Sequence, residues 1–414
     1  MQFHILSLEG PDAYARAGGL ASRVEGLAGS LSSLGFETHL WFVGDPGLPG
    51  HEHQGRLRLH RWCQWISRHH PGGVYDGEFA KLHDYAGSVP PFLFEQTLLP
   101  HLGAGGRAVV MAEEWHTVGA VFHLDEILRH AGLRDRVSLL WNANNNFGFD
   151  QIDWRRLASS ATLTTVSRYM KHKMHGLGVD PIVIHNGLTE DAFDPPSAEG
   201  AAELRRRFPD RTVLVKMARF DPDKRWLMAI EIVRQLKERG WRPLLVARGG
   251  SEAHGSEVYH HAHRAGLRIA DRAAKGPGVG AMLSALEDVG EVDVVSLQSF
   301  VDPDARRLLF HGAHAVLANS GHEPFGLVGL ETMAAGGLAC TGYSGEDYVV
   351  PGRNALVLQT ADAREFVDLY GQLRSSPEHE LAMRNAGRST AREYAWPEVI
   401  QRSLLPRVEI LTHP

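Results

Sequence analysis

The chain has 414 residues, of which 43% are hydrophobic and 22% are charged. These values exclude a disordered, collagen-like or coiled-coil chain, and the length corresponds to roughly two or three domains. The 43 Lys and Arg against 49 Asp and Glu give a net charge of −6, without the basic excess typical of nucleic-acid-binding proteins. No apolar run approaches the ~18 residues of a transmembrane helix, and the first residues show no signal-peptide pattern. We therefore expect a cytoplasmic protein.

The first half of the chain alternates short apolar runs with helical patterns. We predict a buried strand over 2–8, a helix over 19–34 that ends at Gly35, and a second strand over 37–43. Further predicted strands cover 107–112, 137–141, 161–166 and 181–185. Residues 44–100 are rich in Gly, His, Trp and Pro, which favours a long insertion over a cleft.

A second series of predicted strands covers 211–218, 243–247, 292–297, 314–318 and 338–341. Strands that alternate with helices form βαβ units and parallel sheets, so two such series predict an α/β protein with two doubly wound domains. The boundary is predicted near His185-Asn186-Gly187, before the loose stretch 191–200. Because such domains bind ligands at the carboxyl ends of their strands, we expect the ligand site in the cleft between the two domains.

The strongest local pattern lies in residues 319–337, where a predicted strand leads through a glycine-containing turn into a helix. Pro324 and Gly326 place Glu323 in the loop, so the helix begins near Gly326-Leu327 with free amides that suit a phosphate. Glu331 then lies within the helix. An amphipathic helix with an acidic residue before its first turn explains the same pattern without any ligand.

Two further loops follow predicted strands. Arg219 and Lys224 follow the strand 211–218 and can clamp a diphosphate, although a solvated charged turn has the same composition. Gly18-Gly19 lets the backbone approach an anion closely, or forms a plain tight turn. The glycines at 276–280 are a weaker candidate, because no strand clearly precedes them.

The order and spacing of these features resemble those of GT-B glycosyltransferases, and most of all family 4 of the retaining nucleotide-sugar transferases. Glu323 to Glu331 matches the E-x7-E motif of that family, and Arg219 with Lys224 matches its R-x4-K motif. The fold that this resemblance implies is GT-B, with two Rossmann-like domains facing across a cleft.

Three other segments resemble the same family. His185-Asn186-Gly187-Leu188 is similar to the turn before the interdomain hinge, and residues 342–358 are similar to its closing turn and strand. Tyr394-Ala395-Trp396 resembles the start of the helix that crosses back onto the first domain. The implied boundaries are an acceptor-side domain over 1–188, a donor-binding domain over 189–392, and a crossing helix over 393–414.

The first domain resembles the glycogen and starch synthase branch. Glu9 to Leu20 is similar to its E-x-x-P…K-x-G-G-L segment, with Arg16 in place of Lys, and residues 113–117 are similar to its H-D-W-H-T segment. Trp141 stands where the family usually places a histidine that faces the donor sugar, and Asn142 follows as in this branch. A tryptophan there can stack on a sugar or cover the site, so the resemblance leaves donor-sugar selection open.

The resemblance implies retaining hexosyl transfer from a UDP-, ADP- or GDP-linked sugar to a carbohydrate or small polar acceptor, with no metal and no cofactor. By spacing, Cys63 and Cys340 predict no metal site either. The implied catalytic residues are Arg219, Lys224 and Glu323. The further implied donor-binding residues are Gly18, Gly19, Phe300, Phe325, Gly326, Leu327 and Glu331, and the acceptor-side residues are Arg16, His116, Trp141 and Asn142.

Other functions stay open on the sequence alone. The same fold also supports a nucleotide-sugar epimerase and a sugar phosphorylase. A non-catalytic protein that binds sugar nucleotides is the third alternative, which the Trp141 departure favours and the complete set of motif residues disfavours. The oligomeric state is open as well.

Overall fold

The computed structural model describes residues 1–412 and divides them into two compact units. Unit 1 comprises Met1–Thr189 together with the chain from Tyr394 onward, and unit 2 comprises Glu190–Glu393. Each unit is built on one sheet of mainly parallel strands with helices between them. The predicted α/β class with two doubly wound, Rossmann-like domains is confirmed.

Unit 1 contains an eight-stranded sheet. Its strands are β1 (Gln2–Leu6), β2 (Glu37–Val43), β3 (His51–Gln54), β4 (Leu57–Trp62), β5 (Ala108–Glu113), β6 (Val137–Ala143), β7 (Thr162–Thr165) and β8 (Ile182–Val183). Their spatial order is β3-β4-β2-β1-β5-β6-β7-β8, and β3 runs antiparallel to β4. The helices are α1 (Gly19–Ser33), α2 (Gln64–Ser67), α3 (Glu78–Leu93), α4 (Leu99–Gly103), α5 (Val118–His130), α6 (Trp154–Ser160) and α7 (Arg168–His175).

The segment 44–100 is part of unit 1 itself, so its interpretation as an insertion over a cleft is wrong. β4 pairs in parallel with β2, and β3 adds an antiparallel edge strand. α3 packs against α5. The two strands were missed because their sequences, HEHQ and LRLHRW, are rich in histidine and arginine rather than in aliphatic residues.

A row of histidines crosses this half of the sheet. His4, His39 and His60 are buried on three neighbouring strands, and His51 lies at the edge. His39 Nδ1 lies 2.9 Å from His60 Nε2, and His60 Nδ1 lies 2.9 Å from His51 Nδ1. Gln2 links the rings of His4 and His39 at 3.0 and 3.1 Å. Burial lowers the pKa of His39 to about 4 and that of His60 to about 2, so the row is neutral in the folded protein.

Unit 2 contains a seven-stranded parallel sheet. Its strands are β9 (Thr212–Met217), β10 (Pro243–Arg248), β11 (Ile269–Arg272), β12 (Val294–Leu297), β13 (Ala315–Ala318), β14 (Ala339–Thr341) and β15 (Leu356–Val357), in the spatial order β11-β12-β10-β9-β13-β14-β15. The helices are α8 (Ala198–Arg207), α9 (Trp226–Glu238), α10 (His254–Arg264), α11 (Val279–Ala285), α12 (Pro303–Gly312), α13 (Leu327–Ala334), α14 (Ala363–Arg374) and α15 (Pro377–Arg392).

The central strands of unit 2 bury both of their faces. Along β9, Leu214 packs into one apolar cluster, whereas Val213 and Val215 pack into the cluster on the other side. Along β10, Leu245 and Leu244 divide in the same way. Successive side chains of a strand point to opposite faces, so a continuous apolar run is what a sheet covered on both sides requires.

The glycine-rich stretch 276–280 does follow a strand, so the prediction that no strand clearly precedes it is wrong. β11 precedes it, and α11 begins at Val279. The strand was missed because its sequence, IADR, lacks an apolar run. The Gly278 amide nevertheless donates a 2.7 Å hydrogen bond to Asp302, so this amide already has an anionic partner.

The end of the chain packs on unit 1. α16 (Trp396–Val399) and α17 (Leu405–Thr412) follow a short bridge in which the Leu188 amide donates to Tyr394 O at 2.8 Å. Trp396 is 1% exposed and belongs to the apolar core of unit 1. A Cβ atom added at Gly26 or Gly187 would lie 2.3 or 2.5 Å from the indole of Trp396, so both positions need glycine. Across residues 1–412, no helix has the length and apolar character needed to cross a membrane.

As the pH falls, we expect the histidine row to lose stability. The folded-state pKa of His39, about 4, lies below the ordinary 6.5, even though Glu37 at 3.6 Å raises it. The unfolded chain therefore binds protons first. The contribution of the neutral histidines to the free energy of unfolding is complete above pH 6.5. It falls as the pH drops toward the folded-state pKa, by roughly 2 kcal/mol per buried histidine between pH 7 and pH 5.

Hydrogen exchange followed by mass spectrometry measures this effect. Peptides from β2 and β4 should lose protection between pH 7 and pH 5, after correction for the intrinsic pH dependence of exchange. Peptides from β9 and β10 of unit 2 are the internal control, and His39→Gln should reduce the loss. Equal loss in both sets of peptides would contradict the assignment to the histidines.

Candidate functional site

Two loops of unit 2 leave the sheet at the same edge. β9 and β13 are parallel neighbours, so the loops that follow them begin side by side. The Gly321 amide donates to Asp223 O at 2.7 Å, which joins the two loops directly. The Trp226 indole donates to Arg219 O at 2.8 Å and fixes the first loop against α9. The R-x4-K and E-x7-E segments therefore meet in space.

The centre of this edge is an ion pair. Lys224 Nζ lies 2.5 Å from Glu323 Oε2, and the two side chains are 21% and 17% exposed. The Glu323 amide donates to Ser344 Oγ at 2.8 Å, so a third loop holds its backbone. Arg219 lies on the same loop as Lys224 and its side chain is exposed. The Lys224–Glu323 ion pair thus lies at the carboxyl edge of the sheet, and the loop that supplies Lys224 also carries Arg219.

The start of α13 differs from the expectation of free amides. Phe325 is buried and packs edge to face against Tyr348, whose hydroxyl donates to the Gly326 carbonyl. The Leu327 amide donates to Phe325 O at 3.0 Å across Gly326, whose φ of −78° and ψ of 75° are those of an inverse γ-turn. The prediction that the Leu327 amide is free for a phosphate is therefore wrong, because the turn uses it.

Glu346 is a buried acidic residue of this site that the sequence patterns did not reveal. It is 7% exposed, and among the described residues neither of its carboxylate oxygens has a hydrogen-bond partner. A Cβ atom at Gly326 would lie 2.7 Å from its Cγ, so glycine is what lets the two segments pack. Burial, and then the charge of Glu323, raises the pKa of Glu346 to about 8, which favours its neutral form.

Lys216 is a second residue that was not singled out, although a lysine inside the apolar run of β9 is a visible signal. Its side chain is fully buried, and Nζ donates to Leu317 O at 3.1 Å and to Asn319 Oδ1 at 2.7 Å. Nζ also lies 5.3 Å from the ring of Trp226. Burial, and then the charge of Lys224, lowers the pKa of Lys216 to about 7. Lys216 therefore joins β9 to the start of the loop that holds Glu323.

The remaining donor-side residues of unit 2 lie further along the same elements. Glu331 is on α13 with a 20% exposed side chain, and its Oε2 lies 3.4 Å from Arg306 Nη1. Burial raises the pKa of Glu331. Phe300 follows β12 and is 76% exposed, so its ring is open to a planar ligand. The structure brings neither residue into direct contact with the Lys224–Glu323 pair.

In unit 1, a carboxylate occupies the turn expected to bind an anion. Glu9 Oε2 accepts hydrogen bonds from the amides of Ala17, Gly18 and Ala21 at 3.3, 3.0 and 3.1 Å. The expectation of free amides is therefore wrong at Gly18, because a phosphate there would meet Glu9. Gly19 begins α1. Arg16 is exposed, and its guanidinium bonds to Glu25 at 2.6 Å and to Pro11 O at 3.4 Å.

Two of the predicted acceptor-side residues are buried in the core of unit 1. Trp141 is 0% exposed and its indole donates to Glu114 O at 2.9 Å, so of the two roles left open for it, stacking on a sugar is wrong. Asn142 is 1% exposed and donates to Glu113 Oε2 at 2.9 Å, while accepting from Thr164. Both side chains point into a packed sheet whose hydrogen bonds they complete.

The neighbouring Glu113-Glu114 pair supports the end of β5. Glu113 Oε2 also accepts from Arg23 at 2.9 Å, and both side chains are almost fully buried. Glu114 has φ 69° and ψ 167°, a backbone conformation that costs a residue with a side chain roughly 1–3 kcal/mol. Its Oε1 accepts from the Asn144 amide at 2.7 Å, and burial raises its pKa to about 8.

His116 is the predicted acceptor-side residue that faces other polar groups. Its side chain is 8% exposed, and Nε2 lies 2.9 Å from Glu78 Oε1. Nδ1 has no hydrogen-bond partner among residues 1–412. Burial lowers the pKa of His116, which favours the neutral ring. Among residues 1–412, we find no group of three or more His, Cys, Asp or Glu side chains arranged to hold a metal ion.

The close packing around Glu323 predicts the effect of Gly345→Ala. The added Cβ would lie 2.0 Å from Glu323 O and 2.5 Å from Pro324 O, and backbone atoms cannot yield as a flexible side chain does. We expect a loss of about 1–3 kcal/mol in unfolding free energy, measured by chemical denaturation, and displacement of Glu323. Gly371→Ala on α14, where nothing lies within 4 Å, is the control. Equal stability of the two variants would contradict this packing.

The comparisons with known proteins agree with this geometry. Residues 203–390 match the family model described as Glycosyl transferases group 1. No curated protein sequence matches the chain significantly. The matched range contains both loops and α13, and therefore Arg219, Lys224, Glu323 and Glu331.

Solved structures of similar fold cover nearly the whole chain. Sucrose-phosphate synthase from Thermosynechococcus elongatus is 17% identical with a TM-score of 0.67, and 99% of each chain is covered. HepE from Anabaena in complex with UDP and glucose is 14% identical with a TM-score of 0.64, covering 99% of this chain and 100% of that one. The UDP-forming α,α-trehalose-phosphate synthase from Burkholderia xenovorans in complex with glucose-6-phosphate is 14% identical with a TM-score of 0.65 and the same coverage. The chain therefore has the fold of GT-B glycosyltransferases, and residues 203–390 match the glycosyl transferases group 1 family.

Proposed function

We propose that this protein is a retaining, metal-independent glycosyltransferase that moves a hexose from a nucleotide-diphosphate sugar to the hydroxyl of a carbohydrate or small polar acceptor. The observation that carries the proposal is the Lys224–Glu323 pair at 2.5 Å, in which Lys224 lies on the same loop as Arg219. These residues lie within the segment that matches a glycosyltransferase family. The structural relatives whose complexes contain UDP and glucose make a nucleotide-sugar donor the first choice.

The cations of unit 2 suit the diphosphate of such a donor. Arg219 offers a planar fork and Lys224 a compact charge, and together they neutralise the negative charge that grows on the leaving nucleotide. A metal ion is not required for that task when two cationic side chains perform it. Glu323, released from its bond with Lys224, accepts hydrogen bonds from hydroxyl groups of the donor sugar.

The transfer step needs no protein side chain as a base. The acceptor oxygen forms a bond to the anomeric carbon while the bond from that carbon to the diphosphate oxygen breaks. The acceptor proton passes to the departing phosphate oxygen on the same face of the sugar, which retains the configuration. A buried tryptophan at position 141 is compatible with this step, because no side chain there has to accept a proton.

The nucleoside end of the donor extends along the same sheet edge. The exposed ring of Phe300 can stack on the base, and the Glu331 carboxylate can accept hydrogen bonds from the ribose hydroxyls. Because Arg306 already contacts Glu331, the ribose would share this carboxylate with a cation. These contacts involve parts common to UDP, ADP and GDP, so all three are candidate donors.

Loss of a single cation tests the catalytic assignment. We expect Lys224→Ala to lower turnover of the preferred nucleotide sugar by about 10²–10³-fold, because one charge on the leaving group is no longer neutralised. Nucleotide release from a panel of UDP-, ADP- and GDP-linked hexoses measures this in the presence of sugar acceptors. Arg206→Ala on α8 removes an arginine whose side chain is 72% exposed, and it should leave turnover unchanged.

The same assay separates the alternatives. A phosphorylase would depend on inorganic phosphate, and an epimerase would change the donor sugar without needing an acceptor. A non-catalytic protein would bind nucleotides without consuming the donor. Full turnover by Lys224→Ala would overturn the role assigned to this residue.

A further inference from the structure

Glu9 is buried, with 4% of its surface exposed, and hydrogen bonds join it to the partly exposed residues beside it. Tyr75 donates its hydroxyl to Glu9 Oε1 at 2.6 Å, and Glu78 accepts at its Oε1 from His116 Nε2 at 2.9 Å. Tyr75 also links Glu9 to His116, because its ring centre lies 5.6 Å from that of His116. Glu9, Glu78 and His116 therefore belong to one site.

Aromatic rings lie beside these carboxylates. The ring centres of Tyr75 and His116 are 5.6 Å apart, and those of Trp115 and His116 are 4.2 Å apart. Tyr75 is 40% exposed, and Phe79, which follows Glu78 in the chain, is 79% exposed. Exposed rings next to carboxylates suit a sugar, whose C–H faces pack on aromatic rings while its hydroxyls donate to the oxygens.

The segment that holds Tyr75 is anchored from beneath. Lys81 is 0% exposed, and its Nζ donates to Tyr14 Oη at 2.7 Å and to the carbonyl oxygens of Gly73 and Asp76 at 2.9 and 2.5 Å. These bonds fix both sides of Tyr75 in the chain. A ring that is held in place loses little conformational entropy when a ligand binds.

The cations near this site are already engaged. Arg16 is bonded to Glu25 at 2.6 Å with both side chains about half exposed, and Arg23 is buried against Glu113. The Lys81 ammonium group donates to backbone carbonyl oxygens. His116 favours the neutral form, because burial lowers its pKa. A phosphate at this site would face Glu9 and Glu78 without a cation to balance it.

We propose that this site of unit 1 binds the acceptor, that the acceptor is an uncharged sugar, and that Glu9 and Glu78 exclude sugar phosphates. His116 Nδ1, which lacks a partner among the described residues, bonds to one hydroxyl of that sugar. This inference rests on the proposed glycosyltransferase function and adds to it the charge class of the acceptor. The negative charges supply the discrimination, since a phosphate and a carboxylate repel each other.

Paired acceptors test the proposal. The intact protein is given its preferred nucleotide sugar with glucose, fructose or maltose, and separately with glucose-6-phosphate or fructose-6-phosphate, and nucleotide release is followed. We expect kcat/KM for the free sugars to exceed that for their phosphates by about tenfold or more. Glu78→Gln, which keeps a hydrogen-bonding oxygen but removes the charge, should narrow this ratio several-fold.

Two further variants serve as a charge control and as a test of the aromatic ring. Glu126→Gln on α5 removes a carboxylate that is 59% exposed and pairs with Arg156 elsewhere on unit 1, and it should leave the ratio unchanged. Tyr75→Ala should raise KM for the free sugar without changing the affinity for the nucleotide. Where water is the only acceptor that is used, saturation-transfer NMR compares binding of glucose and glucose-6-phosphate directly.

The outcomes separate this inference from the proposed function. Equal or better use of sugar phosphates, or tighter binding of glucose-6-phosphate than glucose, overturns the inference while donor turnover still stands. Absence of binding by either sugar also overturns it. If no nucleotide diphosphate binds and no donor is consumed, the proposed function itself fails, and the inference fails with it.

Discussion

The bond between Lys224 and Glu323 is the contact on which the candidate donor site depends. It joins two residues 99 positions apart in the chain, and it can form only because β9 and β13 are parallel neighbours. Around it, Lys216 ties the end of β13 to β9, and Ser344 holds the Glu323 amide from a third loop. The sheet thus brings the Lys224–Glu323 pair and the loop that carries Arg219 to one edge, and the close-packed glycines of the same loops leave these segments little freedom to move.

In unit 1, the corresponding edge of the sheet carries a negative rather than a positive charge. Its polar residues also gather where parallel strands end, but Glu9, rather than an arginine or lysine, occupies the start of α1. A carboxylate at the positive end of a helix is electrostatically favourable in the free protein, and it removes the amides that a phosphate would use. This difference underlies the two proposals, in which unit 2 holds a diphosphate and unit 1 holds an uncharged, hydroxylated ligand.

The sequence predicts those parts of the protein whose signal is local. The apolar runs of the central strands identified both sheets, and the motif spacing singled out Arg219 with Lys224 and Glu323 with Glu331. That Lys224 and Glu323 pair with each other is seen only in the structure. The polar strands β3, β4 and β11 were missed, since β3 and β11 are edge strands and β4 lies next to an edge, where a continuous apolar run is not needed. Tyr75 and Glu78 were missed because their roles come from contacts with Glu9 and His116, which no pattern within a segment encodes. Trp141 and Asn142 were misplaced for the same reason: only the packed sheet shows that their side chains point inward.

The proposed function requires that unit 2 bind a nucleotide through its diphosphate. Titration calorimetry of the intact protein with UDP, ADP and GDP, compared with the corresponding nucleosides, measures this. We expect at least one diphosphate to bind clearly more tightly than its nucleoside. This difference in affinity should shrink with rising salt because it is electrostatic, and it should be lost in Lys224→Ala. Diphosphates that bind no more tightly than nucleosides, or a difference that Lys224→Ala leaves unchanged, would contradict this expectation.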